Sequence, residues 1–134
     1  MKRKNAIKTV LLLVAIVILI GGLWYWASLE REATQITSDV ILFYGWECPH
    51  CQDVDKFLQK NKIADKIQFD RLEVFHNSKN RAILTAKAEE CGVNDTEVGV
   101  PLLFDTVEKK CFIGAPNIED FFTKKYNEIV KKPE

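Results

Sequence analysis

Hydrophobic residues along this chain fall into one long unbroken run and several short ones, and the two kinds predict different structures. The long run, Val10 to Ala27, holds no charged residue, and its core reads Val10-Leu11-Leu12-Leu13-Val14-Ala15-Ile16-Val17-Ile18-Leu19-Ile20. With Ala6 and Ile7 it reaches about 20 residues, roughly 30 Å as a helix, which matches the hydrocarbon core of a bilayer. No face of it is polar, so a buried soluble helix is a poor third reading after an anchor and a signal peptide. Trp24-Tyr25-Trp26 at its far end suit a membrane–water interface, and Lys2, Arg3, Lys4 and Lys8 precede it with no acid among them. That charge bias predicts a cytoplasmic N-terminus. A cleaved signal peptide would share the basic start. The apolar run is long for one, however, and Tyr25-Trp26-Ala27 puts bulk where a cleavage site wants small residues. The expected organisation is a basic N-terminus over 1–8, a single-pass transmembrane signal-anchor over 9–27 and a polar linker over 28–38. A folded domain over 39–134 would then lie on the extracytoplasmic, or periplasmic, side of the cell membrane.

The short runs predict the domain. Val40-Ile41-Leu42-Phe43-Tyr44 is continuous, β-branched and aromatic, and reads as a strand buried on both faces. Cys48-Pro49 follows, and Val54, Phe57 and Leu58 continue at helical spacing, so a helix over about 49–61 begins with proline in its first turn. Ile67 to Phe75 reads as a second strand whose alternation slips by one between Phe69 and Leu72, which predicts a bulge. Asn77-Ser78 cap a helix carrying Ile83, Leu84, Ala88 and Cys91, with Gly92 as its stop. Val100–Phe104 and Cys111–Ile113 form two strands around a polar turn. Asn117 caps a last helix with Ile118, Phe121, Phe122, Ile129 and Val130 on its apolar face. The order β-α-β-α-β-β-α predicts a parallel first pair, an antiparallel closing hairpin and helices on both faces of a mixed four-stranded sheet.

Composition narrows the class. At 134 residues there is room for one small domain. Net charge is zero, but without the four N-terminal cations the remaining 15 basic residues face 19 acidic ones. A mildly acidic body offers no footprint for nucleic acid. The four cysteines, Cys48, Cys51, Cys91 and Cys111, suit two pairs, and pairing fits an exported domain.

Cys48-Pro49-His50-Cys51 is the candidate catalytic centre. Thiolates, not thiols, attack disulfides, and a helix start offers unpaired N–H groups and a positive dipole end to stabilise one. Cys48 is the expected nucleophile and Cys51, one turn deeper, the resolving thiol. His50 can stabilise the Cys48 thiolate, which together with Pro49 favours donating disulfides; Glu47 beside Cys48 opposes it. Zinc binding is the competing reading of the motif. It wants a second Cys-x-x-Cys or a His pair, and the sequence has neither, so no metal and no bound cofactor beyond the Cys48–Cys51 disulfide are expected. Val100-Pro101 is a candidate cis peptide that would leave nearby backbone free to bind an extended substrate. An apolar substrate groove with Trp46 and the Val100-Pro101 backbone in it is expected. Cys91 and Cys111 would close a structural disulfide, with unpaired core cysteines or a second redox pair as the alternatives. His76, after a strand, reads as a solvated loop residue.

The strand, the Cys-x-x-Cys helix, the later X-Pro strand and the closing helix resemble the thioredoxin superfamily across residues 39–131. The Pro49-His50 dipeptide and Val100 before Pro101 resemble DsbA-type periplasmic oxidases. Similar Cys-Pro-His-Cys domains are coupled to vitamin K epoxide reductase-like membrane proteins. The resemblance implies a cis Pro101 beside Cys48 and a short thioredoxin- or glutaredoxin-like core. It implies a protein-disulfide oxidoreductase acting on cysteines of exported proteins, more as oxidase than reductase, recharged by a quinone-linked membrane partner. An extracytoplasmic thiol reductase, for instance one serving cytochrome maturation, and a metal chaperone or non-catalytic membrane adaptor are the alternatives. One departure stands out: where the family carries a buried acid six residues before the first cysteine, this chain has Leu42.

Overall fold

The computed structural model describes residues 2–28, 34–94 and 96–131, and within the first helix the side chains of 7, 8 and 10–25. The side chains of Lys2, Arg3, Lys4 and Trp26 and the linker residues 29–33 lie outside it. The chain divides into two units, Met1–Arg31 and Glu32–Glu134.

The first unit is one helix, α1 (Lys2–Ser28), 27 residues long. Its described residues from Ile7 to Tyr25 are all exposed; Leu12 and Leu13, on adjacent sides, are 63% and 56% exposed. Among the described residues no helix is long and apolar enough to cross a membrane. The unbroken described stretch spans residues 10–25, and the side chains of Trp26 and Ala27, which complete the run read from the sequence, fall outside it.

The second unit runs β1 (Val40–Tyr44), α2 (Pro49–Lys60), a 3₁₀ turn (Ile63–Asp65), β2 (Asp70–Glu73), α3 (Ser78–Glu90), β3 (Leu102–Asp105), β4 (Lys110–Ile113) and α4 (Ala115–Lys131). The four strands form one sheet in the order β2-β1-β3-β4. β1 pairs parallel with β2, and β3 pairs antiparallel with both β1 and β4. The sheet is covered on both faces, which is why β1 is apolar at every position. Val40 and Leu42 point to α2 and α4, packing with Val54, Leu58, Ile118 and Phe122. Ile41 and Phe43 point the other way, with Leu84 and Ala88 of α3. Each buried Val, Ile, Leu or Phe among them contributes roughly 1.5–3 kcal/mol from apolar area removed from water. This is the mixed four-stranded sheet with helices on both faces anticipated from the order of elements, and it agrees with the thioredoxin-like α/β fold that the resemblance implied.

Several boundaries differ from the expectation, each for a physical reason. β2 is only Asp70–Glu73 and contains no bulge. Ile67 and Phe69 pack on the α2/α4 side and Leu72 and Val74 on the α3 side. The apparent slip is therefore a change of which face is apolar, with alternation intact. β3 starts at Leu102, not Val100, because proline has no N–H to give to the ladder. α4 begins at Ala115, so Asn117 is inside its first turn and not its cap; the Asn117 amide donates back to the Ile113 carbonyl at 2.7 Å. Ile129 and Val130, expected on the apolar face of the last helix, are 43% and 57% exposed. The caps of α3 are as expected: the Asn77 side chain accepts from the Asn80 N–H at 3.0 Å, and Gly92 follows the helix with φ 77°. Residues 34–38 are fastened to the sheet edge. Asp70 accepts from the Thr37 and Ser38 N–H groups, each at 2.6 Å, and Thr34 donates to Asn80 at 2.8 Å.

Candidate active site

β1 delivers the chain to the site. After Tyr44, Gly45 lies against the ring of Phe75, in space that a side chain would need. The Cys48 N–H then returns to the Gly45 carbonyl at 3.2 Å, closing a turn over Trp46 and Glu47. Cys48 is the N-cap of α2, with extended φ and ψ of −81° and 114°, and Pro49 opens the first turn. The Cys48 Sγ takes the place of a capping oxygen, accepting from the Cys51 N–H at 3.4 Å. Its S–H donates to the Val100 carbonyl at 3.6 Å. The Val100–Pro101 peptide is cis, and among the described residues the Val100 N–H has no hydrogen-bond partner. Helix start, X-Pro segment and both thiols therefore meet at one end of β1.

The two sulfurs are unequal. Cys48 is 9% exposed and Cys51 3%, and both are free thiols. Burial pushes the Cys51 thiol up to about 12 from 9.0; its hydrogen bond with Cys48 and the charges of Cys48 and Asp55 add to this, while a backbone contact with Gly45 opposes it. Cys51 is thus held protonated under ordinary conditions, and Cys48, though also buried, is the more exposed of the two.

The structure places the other predicted residues as follows. Pro49 and His50 are exposed. Among the described residues, no hydrogen bond joins His50 to Cys48. Trp46 is 61% exposed, and its Nε1 donates to the Tyr44 hydroxyl at 3.2 Å. A mostly apolar groove of about 340 Å³ that includes Val100 is lined by Val74, Phe75, Leu84 and Val98, with Arg81, Thr85 and Gly99 completing its wall. Val100 belongs to both the groove and the Cys48 contact, whereas Trp46 and Pro101 are not in its wall. Cys91 and Cys111 are joined by a disulfide of 2.03 Å, with Cα atoms 5.9 Å apart, away from the helix start. Among the described residues no three His, Cys, Asp or Glu side chains converge as a metal site.

Two pairings escape a reading of the sequence. His76, expected to be a solvated loop residue, meets Glu47 at 2.7 Å and lies edge-on to Trp46 with ring centroids 6.3 Å apart. The hydrogen bond from His76 holds the Glu47 carboxyl below its ordinary value. Buried Glu73 pins this turn by accepting from the Phe75 and His76 N–H groups, each at 2.9 Å. The second pairing joins Asp55 of α2 to Arg71 of β2, whose guanidinium stacks 4.7 Å from the Tyr44 ring. Asp55 could have been found from its spacing, four residues beyond Cys51; its partner on another element could not.

A mixed sheet of this strand order, with Cys-x-x-Cys at the junction of β1 and α2 and an X-Pro segment facing it, is a thioredoxin-like domain with a paired-cysteine centre. No protein-family model and no curated protein matches the chain. Among the solved structures similar to it are two glutaredoxins. Buckwheat glutaredoxin in complex with glutathione is 18% identical, covering 70% of this chain and 74% of that one, with a TM-score of 0.46. Oxidised glutaredoxin 2 from Chlamydomonas reinhardtii is 21% identical, covering 68% and 77%, also with a TM-score of 0.46.

Proposed function

We propose that the protein is a membrane-anchored thiol–disulfide oxidoreductase that exchanges the Cys48–Cys51 disulfide with cysteine pairs of exported proteins, chiefly as an oxidase. The carrying observation is the division of labour between the sulfurs. Cys48 caps α2 as the less deeply buried of the two, where an ionised sulfur would receive a charge-assisted hydrogen bond from the Cys51 N–H, and Cys51 lies deeper as a protonated thiol. As oxidase, a substrate thiolate attacks Cys48, and the S–S bond to Cys51 breaks. Cys51 leaves with the electron pair and takes up a proton. The second substrate thiolate then attacks its own sulfur in the mixed disulfide, releasing the Cys48 thiolate. The Val100 N–H, unpaired among the described residues, and the adjoining mostly apolar groove suit an extended, partly unfolded chain laid beside Cys48.

The anchor reading rests on the sequence: the run Val10 to Ala27 holds no charged residue, and the side chains described from 10 to 25 in α1 are uncharged and exposed. On that reading the domain would lie outside the cytoplasm near a membrane redox partner, for which a quinone-linked, vitamin K epoxide reductase-like protein is the proposed class. No bound cofactor is needed for the exchange.

Redox titration of the full-length chain in detergent against glutathione buffers, read by thiol labelling of Cys48 and Cys51, tests the direction. An oxidase predicts a potential more oxidising than about −200 mV; a value near −270 mV would instead make the protein a reductase. Absence of any redox transition at this pair would remove the exchange reading altogether.

A further inference from the structure

Resolution of a mixed disulfide at Cys48 requires Cys51 to lose its proton, and the reverse reaction requires Cys51 to regain it. The position that carries an acid in proteins this chain resembles is Leu42, which is 1% exposed and packed against Val54 and Leu58. Glu47 is committed to His76 at 2.7 Å. One other carboxylate lies on the right face of α2. Asp55 follows Cys51 by four residues, which puts their Cβ atoms about 5–6 Å apart on one side of the helix. Its Oδ1 is tied to Arg71 Nη2, and among the described residues its Oδ2 has no hydrogen-bond partner. In the sheet register, Arg71 is the direct partner of Leu42. The ion pair therefore stands at the level of residue 42, one strand over from it. The Asp55 side chain is 33% exposed, so water reaches it.

We propose that Asp55, oriented by Arg71, takes the proton from Cys51 and returns it, replacing the acid absent at Leu42. This rests on the exchange reading of the cysteine pair. In the resolving step the Cys51 Sγ attacks the Cys48 Sγ of the mixed disulfide. A Cys51–Cys48 bond forms, the bond from Cys48 to the substrate sulfur breaks, and the electron pair leaves on that sulfur. The Cys51 proton passes through one water to Asp55 Oδ2 and on to solvent or the departing thiolate. When a substrate thiolate opens the Cys48–Cys51 bond instead, the same path runs backwards. Arg71 fixes one carboxylate oxygen and leaves the other for the proton, and the Tyr44 ring, 4.7 Å away, holds Arg71 in place. Burial is the main cause of the raised Cys51 thiol, and the Asp55 charge is the smallest of the causes that add to it.

The resolving step can be watched in isolation with the full-length reduced chain in detergent. 5,5′-Dithiobis(2-nitrobenzoate) caps Cys48 and releases one thionitrobenzoate; attack by Cys51 releases a second, read by absorbance. Asp55→Asn is expected to slow the second release about tenfold to a hundredfold near neutral pH, the lower part of what positioned general bases supply. Its rate should climb steadily with pH where the wild-type profile is flatter. Asp55→Glu, which keeps the carboxylate, should retain most of the wild-type rate, and Asp55→Ser carries the same test if the Asn variant does not fold. A second release as fast as, or faster than, wild type at every pH in these variants overturns the proposal. Failure of the wild type to release a second equivalent would overturn the exchange reading instead.

Discussion

Burial of the Cys51 thiol has a direct thermodynamic consequence. Its proton is held to about 12 in the folded chain, against 9.0 for an ordinary thiol. Below about 9 both states keep the proton and the group is silent. Between the two values the unfolded chain releases a proton that the folded chain retains, so stability falls as pH rises. Three units correspond to about 4 kcal/mol across the whole window, and at pH about 10.5, halfway through it, to about 2 kcal/mol. The perturbation that isolates this is Cys51→Ala, which removes the titrating sulfur and leaves other alkaline groups common to both proteins. Urea denaturation of the reduced full-length proteins in detergent, followed by tryptophan fluorescence from about pH 8 to 10.5, should show the wild type losing about 2 kcal/mol more than the variant. Parallel curves would mean that Cys51 ionises as readily folded as unfolded, and that burial does not separate the two thiols.

Three further outcomes follow from the packing. Replacing Cys91 and Cys111 together by serine opens a bridge between residues 20 apart, and should cost about 3 kcal/mol in urea denaturation by loop entropy. Gly45→Ala drives a Cβ into the Phe75 ring, which must shift, and should destabilise by about 1–3 kcal/mol while disturbing the turn that carries His76, visible in the His76 ring NMR signals. The Glu47 carboxyl, held low by His76, should titrate below the ordinary range by carbon-13 NMR and move up on His76→Ala; no movement would deny the contact in solution.

What could be read from the residues was what local chemistry determines. The unbroken apolar stretch of β1 announced a strand covered on both faces. Cys48-Pro49 announced a helix start, and Asn77 and Gly92 marked the ends of α3, because caps and turns are set by residues adjacent in the chain. The phase of Ile67 to Val74 was misread because a strand can be apolar on one face early and the other face later, and only the packed helices reveal the switch. Asn117 looked like a cap because Ala115 and Pro116 leave no polar side chain ahead of it. At the site, Cys48 and Cys51 declared themselves by spacing. The partners that surround them did not: Glu47 with His76 and Asp55 with Arg71 join residues 29 and 16 apart in the chain, and only the fold brings each pair together.

Trapping a mixed disulfide tests the central claim most directly. Full-length Cys51→Ala and Cys48→Ala proteins, incubated in detergent with an unfolded protein bearing a single activated disulfide, are separated without reductant and mapped by mass spectrometry. A covalent adduct through Cys48 in the Cys51→Ala protein, with little or none in the Cys48→Ala protein, is the predicted result. An adduct that forms equally through Cys51, or no adduct at all, would contradict the assignment of Cys48 as the attacking sulfur.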